Sequence, residues 1–115
     1  LHELSITQNI IEIATEKARD AGARRVTGLS IVVGSLTGIA EECVKFYFEF
    51  VAKDTMLEGA NMEFRLVPSL ARCRACKVEF SPEEGSWHCP GCGSLNAEIV
   101  AGRELFLESI EVDRD

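Results

Sequence analysis

Four cysteines stand in two pairs, Cys73-Arg-Ala-Cys76 and Cys89-Pro-Gly-Cys92, with twelve residues between the pairs. Thiolates are soft ligands, and two C-x-x-C pairs at this separation can close a tetrahedral four-sulfur shell around one metal ion. Each pair is expected to form a tight turn whose backbone N–H groups point at sulfur. Gly91 and Gly93 would relieve the backbone where that turn needs unusual dihedrals. Four sulfurs fill the shell and leave no position for water, so the spacing predicts a structural zinc ion rather than a hydrolytic one. Iron in a rubredoxin-like site is the competing occupant. A thiol oxidoreductase would fit a single C-x-x-C. Two pairs in a Gly/Pro-rich stretch without a surrounding βαβ unit argue against it. His88 abuts Cys89 and is a candidate switch, by entering the shell or by perturbing the thiolates.

The extreme N-terminus offers a second donor set. The His2 imidazole, the His2 amide, the Glu3 amide and a free Leu1 amine can form a plane of four nitrogens. Such a plane suits Ni(II) or Cu(II) and fits tetrahedral zinc poorly. The donors must lose protons to bind, so affinity would weaken as pH falls. On spacing alone, a histidine at position 2 reads as a frayed terminal residue.

Other chemistry is missing. No Ser-His-Asp set, P-loop or Gly-rich phosphate cradle is present. Glu41 and Glu42 are adjacent, and neighbouring helix positions diverge by about 100°, so they cannot easily share one substrate. Catalysis is not expected. The net charge is −7 and the pI about 4.9, which disfavours nucleic-acid binding. A local exception is Arg65, Arg72, Arg74 and Lys77, expected to crowd the first cysteine pair and to offset thiolate charge. No apolar run approaches the roughly 18–20 residues that a membrane span needs. The opening LHELSITQ has no basic n-region and no long apolar stretch, which gives a cytoplasmic expectation.

The metal sites need elements to hold them. Residues 4–21 carry Leu4, Ile10, Ile11, Ala14, Ala18 and Ala21 at three- and four-residue steps, an amphipathic helix. Ser5 with Gln8 fits a capping box, and Gly22 fits the residue just past the helix end. Residues 26–34 alternate Leu29, Ile31 and Val33 with Gly28, Ser30 and Val32, a strand. Residues 39–53 form a second helix with Ala40, Val44, Tyr47, Phe48 and Val51 in its apolar stripe, widened by Cys43, Phe46 and Phe50. Cys43 is therefore expected to be a buried small hydrophobe. A second strand covers 61–67 and a third 103–112, where the phase slips at about Glu108–Ser109 and predicts a bulge.

Residues 72–94 have few large apolar side chains, chiefly Val78, Phe80 and Trp87. So few cannot offset the ordering entropy of the segment, and the cysteines supply the staple. The expected fold is α+β: two helices packed on a three-stranded sheet, with an inserted zinc-ribbon-like Cys₄ module. Residues 1–68 plus 98–115 would form one domain and 69–97 the insert.

Taken together, the chain resembles the HypA/HybF family of hydrogenase and urease nickel-insertion chaperones. The resemblance rests on His2-Glu3-Leu4-Ser5, Val32-Val33-Gly34-Ser35-Leu36, the Glu41–Phe48 segment and both C-x-x-C pairs, the second within Cys89-Pro-Gly-Cys92-Gly93-Ser94. Gly102-Arg103-Glu104-Leu105 and Ile110-Glu111-Val112 complete it. It implies a nickel metallochaperone with His2 as primary nickel ligand and Glu3 giving its backbone amide or a partner contact. Ni(II) would be transient cargo and Zn(II) a structural ion. The implied partners are a HypB-type GTPase, the [NiFe]-hydrogenase large subunit and, in some organisms, urease accessory proteins. The family opens with Met where this chain has Leu1. A leucine with a free amine keeps the donor set. The rival reading from the residues is a zinc-ribbon adaptor that binds protein or nucleic acid and uses no second metal.

Overall fold

A computed structural model describes residues 3–82 and 87–114. The expected nickel donors at Leu1 and His2 lie outside the described residues. The elements in chain order are α1 (Glu3–Asp20), β1 (Arg25–Gly34), a 3₁₀ turn (Ser35–Thr37), α2 (Glu41–Val51), β2 (Asn61–Val67), β3 (Leu70–Cys73), β4 (Glu79–Phe80), β5 (Ala97–Ala101) and β6 (Leu105–Asp113).

Helix α1 turns Ile6, Ile10, Ile11, Ala14 and Ala18 into the core, the three- and four-residue rhythm of a one-faced helix. Leu4, expected on that stripe, is 40% exposed. The helix is already under way at Glu3, so Ser5 lies inside it and is not its cap. The other end follows expectation. Gly22 sits at φ +69°. Its N–H donates to the Arg19 carbonyl at 3.0 Å, and the Ala23 N–H donates to the Ala18 carbonyl at 2.9 Å. This bonding pattern closes a helix through a left-handed residue, where glycine carries no Cβ penalty.

The main sheet has the order β2-β1-β6. Strands β1 and β2 run parallel, with Leu29 opposite Met62, Ile31 opposite Phe64 and Val33 opposite Leu66. Helix α2 is therefore the crossover of a βαβ unit. Strand β6 runs antiparallel on the other side of β1. Leu29, Ile31 and Val33 join the core with Met62, Val44, Phe48, Leu57 and the buried face of α1. The α+β architecture is as expected, with both helices on one face of three strands.

The register skips Glu108, because Ser30 pairs Ser109 while Ile31 pairs Leu107. That is the expected bulge, and it frees the Glu108 carboxylate to meet Arg65 at 2.8 Å. Arg65 stands opposite Val32 on β1. The ion pair thus bridges the two outer strands. Val32 in the central strand is 1% exposed although it lies outside the main core.

Helix α2 departs from expectation. Val44 and Phe48 are buried, but Cys43, Phe46 and Phe50 face solvent. A three-stranded sheet already shared with α1 supplies less apolar surface than this stripe can cover.

The cysteine-bearing segment builds its own sheet, order β4-β3-β5, with both pairings antiparallel. Glu98–Ala101 pair with β3 in this sheet, so the boundary expected at 97/98 falls inside β5. The molecule measures 58 × 25 × 17 Å with a radius of gyration of 18.0 Å. A compact chain of this length would have about 13 Å. The two sheets therefore do not share one globular core. They meet where Gly34 ends β1. A Cβ on Gly34 would lie 2.1 Å from the Gly102 carbonyl oxygen. The Leu36 N–H donates to that oxygen at 2.8 Å, and the Gly34 N–H donates to the Glu104 carbonyl at 2.7 Å.

Candidate metal centre

Strand β3 ends on Cys73, and the chain then turns twice through nearly the same shape. In the first knuckle the Cys73 N–H donates to the Val78 carbonyl at 2.9 Å, and the Lys77 N–H donates to the Cys73 carbonyl at 2.9 Å. In the second the Cys89 N–H donates to the Ser94 carbonyl at 2.9 Å, and the Gly93 N–H donates to the Cys89 carbonyl at 2.8 Å. The fifth residue of each knuckle is left-handed, Lys77 at φ +68° and Gly93 at φ +75°. The expected amide-to-sulfur geometry is present, with the Gly91 N–H 3.3 Å from Cys89 Sγ. A Cβ on Gly91 would lie in ordinary contact with Cys76 Sγ and Cys89 Sγ at 3.6 Å but would press on Val78 Cγ2 at 3.3 Å.

The two knuckles bring the four sulfurs of Cys73, Cys76, Cys89 and Cys92 within 4.8 Å of one another. Cys73 and Cys92 are 3.6 Å apart, and Cys76 and Cys89 are 3.4 Å apart. A tetrahedron of sulfurs at the usual zinc–sulfur distance of about 2.3 Å has edges of about 3.8 Å. The donor set and its spacing fit a tetrahedral thiolate metal. Cys73 and Cys89 are buried, whereas Cys76 and Cys92 are exposed. Each pair contributes one inner and one outer sulfur.

The thiols ionise unequally. The backbone N–H of Cys76 does most to hold Cys73 down at about 6, helped by the Ala75 N–H and the Cys92 thiol and opposed by burial. Burial is the largest influence on Cys89 and raises it, but the N–H groups of Cys92 and Gly91 and the thiols of Cys76 and Cys92 together lower it. The Val78 N–H lowers Cys76, yet the adjoining Cys89, burial, Cys92 and Cys73 together push it up to about 12. Cys92 is raised, because Cys73, burial and Cys89 outweigh the Ser94 N–H and Cys76. Cys73 and Cys89 are therefore the more acidic thiols of the cluster, and Cys76 and Cys92 the less acidic.

Three of the four basic residues form ion pairs, and the fourth, Lys77, is exposed. Arg72 on β3 stands between its register partners Glu79 and Glu98. It reaches Glu79 at 2.8 Å and Glu98 at 3.7 Å. Arg74 lies 3.8 Å from Glu98. Arg65 is on the other sheet, paired with Glu108, so it does not crowd the cysteines as expected. No free cationic patch is left around Cys73 by these three arginines. His88 is exposed and outside the four-sulfur group.

Glu3, at the start of α1, has a role that its spacing did not reveal. Its carboxylate accepts a hydrogen bond from the Ala40 N–H at 3.3 Å. Ala40 is the residue that opens α2. A carboxylate is favoured at the positive end of a helix, and this contact ties the beginnings of the two helices together. Lys77 stands out in the sequence only as a cation, and nothing in its residue type announces a left-handed backbone.

A family profile described as hydrogenase/urease nickel incorporation metallochaperone, HypA, matches residues 1–112. The chain belongs to the HypA family. The hydrogenase maturation factor HypA of Dehalococcoides mccartyi strain 195 is 42% identical over 113 residues, covering 98% of this chain and 95% of that protein. The Geotalea uraniireducens factor of the same name is 39% identical, covering 98% of this chain and all of that one. The fold agrees with the solution structure of the nickel metallochaperone HypA from Helicobacter pylori. That match has a TM-score of 0.69 at 20% identity and covers both chains fully. A second HypA solution structure gives 0.75 at 21% identity, covering 99% of this chain and 98% of that one. Members of the family are metallochaperones and maturation factors, not enzymes. Among the described residues no helix is long and apolar enough to cross a membrane.

Proposed function

We propose that this chain binds Ni(II) at its N-terminus and delivers it during maturation of [NiFe]-hydrogenase, with urease as a second client. The His2 imidazole and amide, the Glu3 amide and the Leu1 amine supply the nickel donors. Cys73, Cys76, Cys89 and Cys92 hold a structural zinc ion. The observation that carries this reading is family membership over residues 1–112, a span that includes the His2-Glu3 opening.

The chemistry of the two sites supports the division of labour. Four thiolates around one ion leave no open coordination position. A shell of that kind binds tightly and suits a brace, not a cargo that must be handed on. Nickel needs a different donor set, and planar nitrogens provide one. The Glu3–Ala40 contact holds the start of α1 against the start of α2, which limits fraying next to His2.

The partners in this reading are a HypB-type GTPase, the hydrogenase large subunit and urease accessory proteins, and the setting is the cytoplasm. The chain divides into a nickel unit and a zinc unit joined at Gly34 and Gly102. The adaptor alternative lacks support in its nucleic-acid form, because Arg65, Arg72 and Arg74 are held in ion pairs.

Electronic absorption of the zinc-loaded protein tests the donor set. Ni(II) bound by four planar nitrogens is diamagnetic and yellow. A paramagnetic, six-coordinate spectrum on adding one equivalent of Ni(II) would rule out the planar arrangement.

A further inference from the structure

The four clustered sulfurs differ in what can reach them. Cys73 and Cys89 are 0% and 2% exposed, whereas Cys76 and Cys92 open to solvent. The cluster's two sulfur–sulfur contacts both run between the knuckles, Cys73 to Cys92 at 3.6 Å and Cys76 to Cys89 at 3.4 Å. Each contact therefore joins one exposed sulfur to one buried sulfur. An oxidant arriving from solvent meets Cys76 or Cys92 first, and a second sulfur lies directly behind it. Redox-sensing cysteines have this arrangement, an accessible thiolate beside a resolving one. Sulfur bound to a metal is held as thiolate, the nucleophilic form. Cys43 is exposed as well but lies on α2, outside the cluster.

We propose that the four-cysteine centre is a peroxide-responsive switch, which releases its metal as the disulfides Cys73–Cys92 and Cys76–Cys89 form. The exposed thiolate of a pair attacks hydrogen peroxide. An S–O bond forms, the O–O bond breaks and hydroxide leaves. The buried thiolate then attacks the sulfenic sulfur. The S–S bond forms, the S–O bond breaks and a second hydroxide leaves. Two thiolates have given up two electrons, and one peroxide has become two hydroxides. The first disulfide removes two of the four donors, and the second leaves none. This switch rests on the zinc reading given above.

The pairing decides what becomes of the module. Val78 and Trp87 are exposed, so little apolar burial holds the knuckles together once the metal is gone. Disulfides between the knuckles span 19 and 13 residues, one nested inside the other. They replace the metal as the cross-link and restrict the unfolded chain. Disulfides within each C-x-x-C would leave the knuckles unlinked. The oxidised module therefore stays folded without metal and regains it on reduction. Where thiols are kept reduced, disulfides of this kind are transient and sensing.

The test treats the full zinc-loaded chain, carrying Cys43→Ser to exclude links between chains, with excess hydrogen peroxide. A chromogenic chelator reads zinc, and mass spectrometry of an unreduced tryptic digest reads the disulfides. Trypsin cuts after Arg74, between Cys73 and Cys76, so links within and between knuckles give different peptides. Fragmentation separates Cys89 from Cys92. One zinc per chain should be lost together with four thiols, and the links should be Cys73–Cys92 and Cys76–Cys89. Circular dichroism should be retained, and a dithiol with added zinc should restore the starting state. Zinc retained under peroxide would overturn the switch and leave the zinc reading standing. Links within the C-x-x-C pairs, or sulfinic acids without disulfides, would also overturn it. A reduced protein that holds no zinc would remove both.

Discussion

Lys77 and Gly93 occupy equivalent places in the two metal knuckles. Each is left-handed, at φ +68° and +75°, and each donates its N–H to the carbonyl of the cysteine four residues earlier. Only one of them is glycine. A side chain in this region costs about 1–2 kcal/mol, partly offset by the entropy a glycine loses on folding. Lys77→Gly should therefore stabilise the zinc-loaded protein by about 0.5–1 kcal/mol. The denaturant midpoint should rise with its slope unchanged. Lys77→Val should lower it.

The uneven thiols set the pH dependence of metal binding. At neutral pH, Cys73, near 6, favours the thiolate and Cys89 is lowered in the same direction, while Cys76, near 12, and raised Cys92 keep their protons. Zinc binding must displace those protons. About two to three should be released per zinc at pH 7. Below about 6, where Cys73 also protonates, the count should rise and affinity should fall more steeply. Calorimetry in buffers of different ionisation enthalpy measures the number. Release of four protons at pH 7 would refute an ionised Cys73.

The junction between the sheets should be intolerant of bulk. Gly34 has an ordinary φ of −82°, so its restriction is space and not backbone strain. Gly34→Ala would drive a methyl into the Gly102–Arg103 backbone. We expect a loss of about 3 kcal/mol, at the upper end of overpacking costs. Gly38, at φ +72° with open space around it, should cost only about 1 kcal/mol as alanine. Thermal melts of the two variants give the comparison.

The two faces of α2 should separate cleanly. Phe48→Ala should destabilise by about 3–5 kcal/mol, as expected for a buried aromatic. Phe46→Ala should stay within about 0.5 kcal/mol of wild type, as surface changes do. Chemical denaturation distinguishes them.

Much of this was legible in residue patterns. The alternation at Leu29, Ile31 and Val33 located the central strand, and the phase slip near Glu108 located the bulge. The C-x-x-C spacing located the metal cluster. Periodicity gave the width of the α2 stripe but not how much of it the sheet would cover. Phe46, Phe50 and Cys43 were for that reason expected inside and are outside. Strands β3 and β4 are four and two residues long, too short for alternation to stand out. The Glu3–Ala40 contact joins residues 37 apart, which no local pattern encodes.

The central claim is that nickel binds at the N-terminus, apart from the four cysteines. Calorimetric titration of Ni(II) into zinc-loaded wild type and His2→Ala, with zinc assayed in both, tests it most directly. The wild type should bind one nickel per chain. The variant should lose that heat while keeping one zinc. Undiminished nickel binding by His2→Ala would contradict the claim.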